Sequence, residues 1–364
     1  MRFVDEYRDP ERVRTLVSAI RDESPPPMTI MEVCGTHTMA IGRFGLRRLL
    51  PPQIRLISGP GCPVCVTPQR DIDSFLSLAG RREVTAVTFG DMLRVPGSAS
   101  SLEAARARGA DVRIVYCPTD ALETARRNGR KETVFFGVGF ETTAPGVALT
   151  ISAALREGIG NFSVYCAHKL VPPALSALLS GDAPVIGGFL LPGHVSTIIG
   201  SRVYEPIARD FGVPCVISGF EPVDILQSVL MLARQVKGGR AEVENQYRRA
   251  VTPNGNLAAQ EAAAAVFETC DADWRGLGRI PASGLAVRQE YALCDARVRF
   301  DLAHDAPEAP ALEGCLCGEI LKGRSDPPDC RFFGTSCTPA EPIGPCMVSS
   351  EGACAAWYRY GGEP

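Results

Sequence analysis

Short runs of β-branched and apolar residues recur along the chain up to about residue 240, each followed by a longer amphipathic stretch. That alternation allows few folds other than βα units wound around parallel sheets. MTIMEV, IRLISGP, AVTFGDM and DVRIVYC are the runs of the first part, set against helix-like DSFLSLAGRRE and SLEAARARGA. TDALETARRNGR, residues 119–130, closes this part as a helix stopping near Gly129. The rhythm then repeats in TVFFGVGF, FSVYC, PVIGGFLL and PCVISGF, separated by APGVALTISAALREG and EPVDILQSVLMLARQV. The pattern predicts two similar small parallel-sheet α/β/α domains, residues 1–130 and 131–240. Ligands in such sheets gather outside the carboxyl ends of the strands. Beyond residue 240, ENQYRRAV and NLAAQEAAAAVFETC read as helix, and a Gly-, Pro- and Cys-rich tail with little periodicity follows. Residues 241–364 are expected to form a third, mostly helical or irregular domain organised by a metal centre.

At 364 residues the chain exceeds the size at which one core usually keeps growing, which agrees with several domains. Its 45% hydrophobic and 22% charged residues are those of a packed globular protein. A net charge of -3 gives no electrostatic footprint for nucleic acid or an anionic membrane surface. The N-terminal stretch is charged throughout and no later stretch has the length and apolarity of a membrane span, so a cytoplasmic location is expected. Fourteen cysteines in a reducing compartment point to metal or redox chemistry rather than to a disulfide framework.

Three cysteine groups carry that chemistry. Cys34-Gly35-Thr36-His37 stands between the run TIMEV and the helix-like AIGRFGLRRLL. A thiol there can be held as thiolate by a helix N-terminus, with His37 as proton carrier or supporting partner, which suits a metal ligand or a nucleophile. A small buried cysteine beside a turn histidine is the alternative. Gly59-Pro60-Gly61-Cys62-Pro63-Val64-Cys65 follows the run RLIS, and its Cys-x-x-Cys reads first as a redox dithiol. Zinc is the main competitor, but no second Cys-x-x-Cys exists to complete such a site. In the tail, Cys315, Cys317, Cys330, Cys337, Cys346 and Cys354 offer the four thiolates of an iron-sulfur cubane. Zinc is less favoured because short paired spacings are mostly missing, and local reasoning does not choose four ligands from six.

Other residues read as walls of the cleft. His194 in LLPGHVST follows a strand-like run, and so do Asp91 and Arg94 in GDMLRVPGS. Glu141 and Thr142 lie in GVGFETTAPG, which lacks the lysine of a phosphate loop and reads as a tight turn whose side chains can hydrogen-bond groups in the cleft. Cys117, Cys166, Cys215, Cys270 and Cys294 read as buried small hydrophobes, with Cys166 near His168 as the one that could line the cleft.

Taken together, MEVCGTHTMAIGRFGLRRLLP, SGPGCPVCVTP, TFGDMLRVPGS, FFGVGFETTAPG, HKLVPPAL, GFLLPGHVS, SGFEPVDIL and PCMVSSEGACAAWY resemble the HypD family of NiFe-hydrogenase maturation proteins over nearly the whole chain. The resemblance implies two α/β domains facing over a cleft and a third domain carrying a 4Fe-4S cluster. The family's cluster cysteines are separated by fourteen, six and sixteen residues, which falls on Cys315, Cys330, Cys337 and Cys354 and leaves Cys317 and Cys346 as neighbours. The iron-binding cysteine maps to Cys34 and the redox dithiol to Cys62 and Cys65. By the same resemblance, an Fe(CN)2CO group is assembled on iron shared between Cys34 and the partner HypC, with cyanide received from HypE and the hydrogenase large subunit served indirectly. That is an assembly scaffold with redox activity rather than a turnover enzyme. A stand-alone iron-sulfur disulfide reductase and an interaction scaffold with structural zinc are the alternatives.

Overall fold

The structure, a computed structural model, describes residues 5–181, 185–302 and 314–361. The apolar runs form strands, most of them buried along nearly their whole length as strands covered on both faces must be, whereas Val112–Ile114 at a sheet edge buries only Val112. In chain order they are β1 (Met28–Glu32), β2 (Ile54–Ser58), β3 (Val84–Thr88), β4 (Val112–Ile114), β5 (Glu132–Gly137), β6 (Phe162–Cys166), β7 (Gly188–Pro192), β8 (Cys215–Ser218) and β9 (Val243–Asn245). One parallel sheet has the order β2-β1-β7-β8-β9 and the other the order β4-β3-β5-β6. The expected α/β architecture is present, but the strands do not divide at residues 130 and 240. The chain begins the first sheet, leaves to build all four strands of the second, and returns to finish the first with β7, β8 and β9. The 130/131 boundary therefore falls between neighbours of one sheet. Strand order is decided by tertiary pairing, on which local periodicity is silent.

Alternate residues of each strand face opposite sides, and three apolar clusters record this. Ile30, Leu56, Leu190 and Val216 face outward beneath the helices Pro10–Glu23 and Pro222–Lys237. Phe135 and Val164 do the same in the second sheet, beneath Pro118–Arg127 and Ala144–Arg156. Met31, Ile57, Phe189, Leu191 and Ile217 of the first sheet share the third and largest cluster with Ala86, Val134, Phe136 and Tyr165 of the second. Phe75 stacks on Phe136 at 4.3 Å and meets Tyr165 edge-on. The two sheets are thus joined by continuous core.

Other boundaries differ locally. The helix expected to stop near Gly129 ends at Arg127. ENQYRRAV is the end of β9 followed by a turn, because Val243 to Asn245 pair with β8. The helix Leu257–Val266 gives way at Phe267 to a hairpin of β10 (Phe267–Trp274) and β11 (Gly278–Val287). This hairpin pairs with the segment after β6 through Leu170 N-H to Ser283 O at 2.8 Å. The described tail, residues 314–361, consists of short helices and turns, as expected. No described helix is long and apolar enough to cross a membrane.

Candidate functional site

All strands of the first sheet are parallel, so the loops after β2, β1, β7 and β8 emerge side by side in that order. They carry Cys62, Cys34, His194 and Phe220 respectively. Cys34 is the extended residue immediately before the helix Gly35–Arg43. The Cys62 loop lies directly against it: Gly35 N-H donates to Gly61 O at 2.9 Å, and a Cβ on Gly61 would come within 2.2 Å of Cys34 N. Only glycine permits that approach. Cys62 and Cys65 flank the start of the helix Pro63–Val66, with Cα atoms 5.3 Å apart, and are joined as a disulfide. Both are buried in the large shared core.

The Cys34 thiol is 8% exposed. Burial pushes its pKa up to about 12, with the Glu351 and Glu32 carboxylates adding to the effect. Desolvation thus outweighs the backbone donors of the helix N-terminus and works against the thiolate expected there. Glu32 lies below, fully buried, accepting from Cys34 N-H at 3.2 Å and Thr38 Oγ1 at 2.5 Å. Burial raises its pKa to about 7. Glu351 reaches in from the tail to accept from Thr36 Oγ1 at 2.7 Å.

His37 is also fully buried, and burial lowers its pKa to about 4, so it is neutral at pH 7. Its Nε2 lies 2.9 Å from Gly219 O, which can only accept. Nε2 therefore carries the proton, and Nδ1 presents a buried lone pair with no protein partner. Phe220 lies between two imidazoles, its centroid 4.8 Å from His37 and 3.9 Å from exposed His194. The structure thus brings Cys34, His37, His194 and the Cys62–Cys65 pair to one sheet edge.

The remaining candidates hold the frame. Glu141 is buried, accepts from Val171 N-H at 2.8 Å at the start of the helix Val171–Ser180, and has its pKa raised by burial to about 7. Thr142 is exposed. Asp91 accepts from Ser349 Oγ at 3.0 Å and Arg94 donates to Pro339 O at 2.9 Å, so both fasten the tail. Cys166, Cys215 and Cys294 are buried as expected, Cys270 is half-buried, and Cys117 is exposed, because it precedes a helix at the surface.

All six tail cysteines line one small cavity, with Ile320, Phe332, Phe333, Ile343 and Met347. Burial pushes Cys315 up to about 11 and raises Cys354 further. Cys317 and Cys346 have sulfurs 2.6 Å apart, one thiol donating to the other, which lowers the pKa of Cys317 and raises that of Cys346. Among the described residues no three potential ligands form a group suited to a single metal ion. Cysteines spread around an apolar cavity suit a cluster whose ligands bind separate iron atoms. The tail also reaches the other thiols: helix Ala353–Tyr360 packs on Gly35–Arg43, and helix Pro345–Val348 packs on Pro63–Val66. Glu32, Glu351 and Phe220 were not among the residues singled out from sequence. A carboxylate inside an apolar strand run was the one available signal for Glu32.

Two parallel sheets that gather a lone thiol, a vicinal thiol pair and a cysteine-lined tail define a thiol-rich α/β protein. Comparison narrows this class. A family model named HypD and described as hydrogenase formation hypA family matches residues 11–361. The chain is 50% identical to "Hydrogenase maturation factor HypD" of Rhodobacter capsulatus, over 100% of this chain and 99% of the relative. It is 48% identical to the protein of that name in Escherichia coli (strain K12), over 99% and 98% respectively. The chain belongs to the HypD family of hydrogenase maturation factors.

Proposed function

We propose that this chain is the scaffold on which the Fe(CN)2CO group of a NiFe-hydrogenase is assembled, with the iron cargo held by Cys34 together with a cysteine of HypC, and cyanide delivered by HypE. The observation that carries the reading is the contact between Cys34 and the Cys62–Cys65 loop, at the edge where the cysteine-lined tail is also packed. A lone thiol one loop away from a two-electron thiol couple is what reductive ligand transfer to iron requires.

Because the Cys34 thiol is held protonated by burial, iron can enter only as that proton leaves. His37, three residues along, is kept neutral by burial with its pKa lowered to about 4, so in this reading its Nδ1 lone pair positions a group at the site and does not store that proton. Glu32 fixes the Cys34 backbone through the N-H bond and keeps the loop from turning. Reduced, Cys62 and Cys65 give up two electrons and two protons as they close to the disulfide, and these split the sulfur–carbon bond of the thiocyanate carried by HypE into a thiol and hydrogen cyanide. A 4Fe-4S cluster held by Cys315, Cys330, Cys337 and Cys354 would supply, one at a time, the electrons that reopen it. The mutual hydrogen bond of Cys317 and Cys346 supports leaving those two outside the ligand set.

Infrared spectroscopy of the anaerobically purified complex with HypC tests this. Cys34→Ala is expected to abolish the bands of iron-bound CN and CO while leaving the cluster's visible absorption intact. Bands retained in that variant would remove Cys34 from the role. Cys337→Ala is expected to bleach the cluster absorption, and an unchanged spectrum would refute the ligand assignment.

A further inference from the structure

The second sheet has a carboxyl edge of its own, and a cavity of about 380 Å³ opens there at the end of β6. It shares no lining residue with the Cys34 site or the six-cysteine cavity. The segment Cys166–Lys169 forms one wall, the hairpin of β10 and β11 another, and Arg70, Asp71 and Arg297 the rest. Gly284 keeps the space open: a Cβ there would come within 2.6 Å of Ala272 Cβ and 3.3 Å of Cys270 Sγ.

Every carboxylate in the lining is already answered. Asp71 takes Arg297 Nη2 at 2.8 Å, Asp273 takes Arg70, Asp271 faces Arg279 at 3.8 Å, and Asp295 accepts from Arg297 N-H at 2.8 Å. Lys169 is different. It is 4% exposed and lines the cavity, yet no hydrogen bond or salt bridge to its ammonium is made among the described residues. Asp71 is the opposite charge that supports it most, yet Asp71 makes no salt bridge to it, and its Oδ1 accepts from Arg297 and Tyr165 Oη. Burial lowers the Lys169 pKa and the Asp71 charge opposes this, while Nζ faces the cavity without a protein acceptor among the described residues, so a ligand oxygen there would complete its hydrogen bonding and favour the ammonium form. Around it, Leu285, Ala286 and Val287 provide apolar wall for a carbon skeleton.

We propose that this cavity binds a small organic carboxylate, one oxygen of which accepts from Lys169 Nζ while its carbon end rests on the β11 wall. The volume suits a metabolite of a few carbons. Isothermal titration calorimetry of the full chain in carboxylate-free buffer, with acetate, pyruvate and bicarbonate as probes, tests it. Saturable binding of acetate or pyruvate is expected, weakened about tenfold or more in Lys169→Met and unchanged in Cys34→Ala. Equal affinity in Lys169→Met, or no saturable binding to the parent protein, would overturn the proposal, and binding of bicarbonate alone would overturn the organic class. Reductive methylation of Lys169 in the unsubstituted chain, read by mass spectrometry, tests the same contact without a mutation. Acetate is expected to protect it, and absence of protection counts against the site.

Discussion

Glu141 shows how a buried carboxylate acts when it supports an element rather than a reaction. Its Oε1 ties the start of the helix Val171–Ser180, while Oε2 has no protein partner and burial lifts its pKa from 4.5 to about 7. An acid whose native pKa is raised contributes stability that is complete below 4.5 and is lost as pH rises through about 7. A glutamine keeps the acceptor and has no proton to lose. Glu141→Gln is therefore expected to exceed the parent by roughly 2–3 kcal/mol in urea unfolding at about pH 8, and to match it below about pH 4.5. The placement of the candidate residues, as distinct from their roles, was partly legible. Cys34, His37 and the Cys62–Cys65 pair were readable because each follows an apolar run that proved to be a strand. Asp91 and Arg94 follow such a run too, but their partners are Ser349 and Pro339, more than two hundred residues away, and no local pattern names such partners.

At the scale of elements, the fastening of the tail is the feature most open to test. Asp91 and Arg94 each contribute one hydrogen bond to it, worth about 1 kcal/mol apiece. Combined replacement by alanine is expected to increase deuterium exchange in Pro345–Val348 and Ala353–Tyr360 by about tenfold or more, while the global unfolding midpoint moves by only a few degrees. Unchanged exchange in those helices would show that apolar packing alone holds them. The hairpin Phe267–Val287 was the element least visible in the sequence. Its first strand continues from an alanine-rich helix without a glycine or proline between them, and its burial lacks clean alternation because only part of one face is covered.

For the whole molecule, the shared core predicts cooperative behaviour. Phe136 belongs to the second sheet but packs in the cluster that also holds Met31 and Leu191 of the first. Phe136→Ala is expected to cost about 3–5 kcal/mol and to lower a single calorimetric transition. Two separated transitions, only one of them shifted, would show that the sheets melt independently. Parallel sheets with two outer helical layers were readable from the βα rhythm; which strands share a sheet was not, since β6 and β7 look alike as buried runs.

The interleaved path also sets a timetable for biosynthesis. β3 to β6 are consecutive, so the second sheet can close as soon as it leaves the ribosome, whereas β1 and β2 must wait for β7. At ordinary elongation rates that delay is on the order of ten seconds. Throughout it, the nascent Cys34 loop has no finished floor beneath it and its sulfur stands open to solvent. The carboxyl edge that carries Cys34 is thereby the last part of the α/β body to be enclosed, completed only once β7 and β8 have been made.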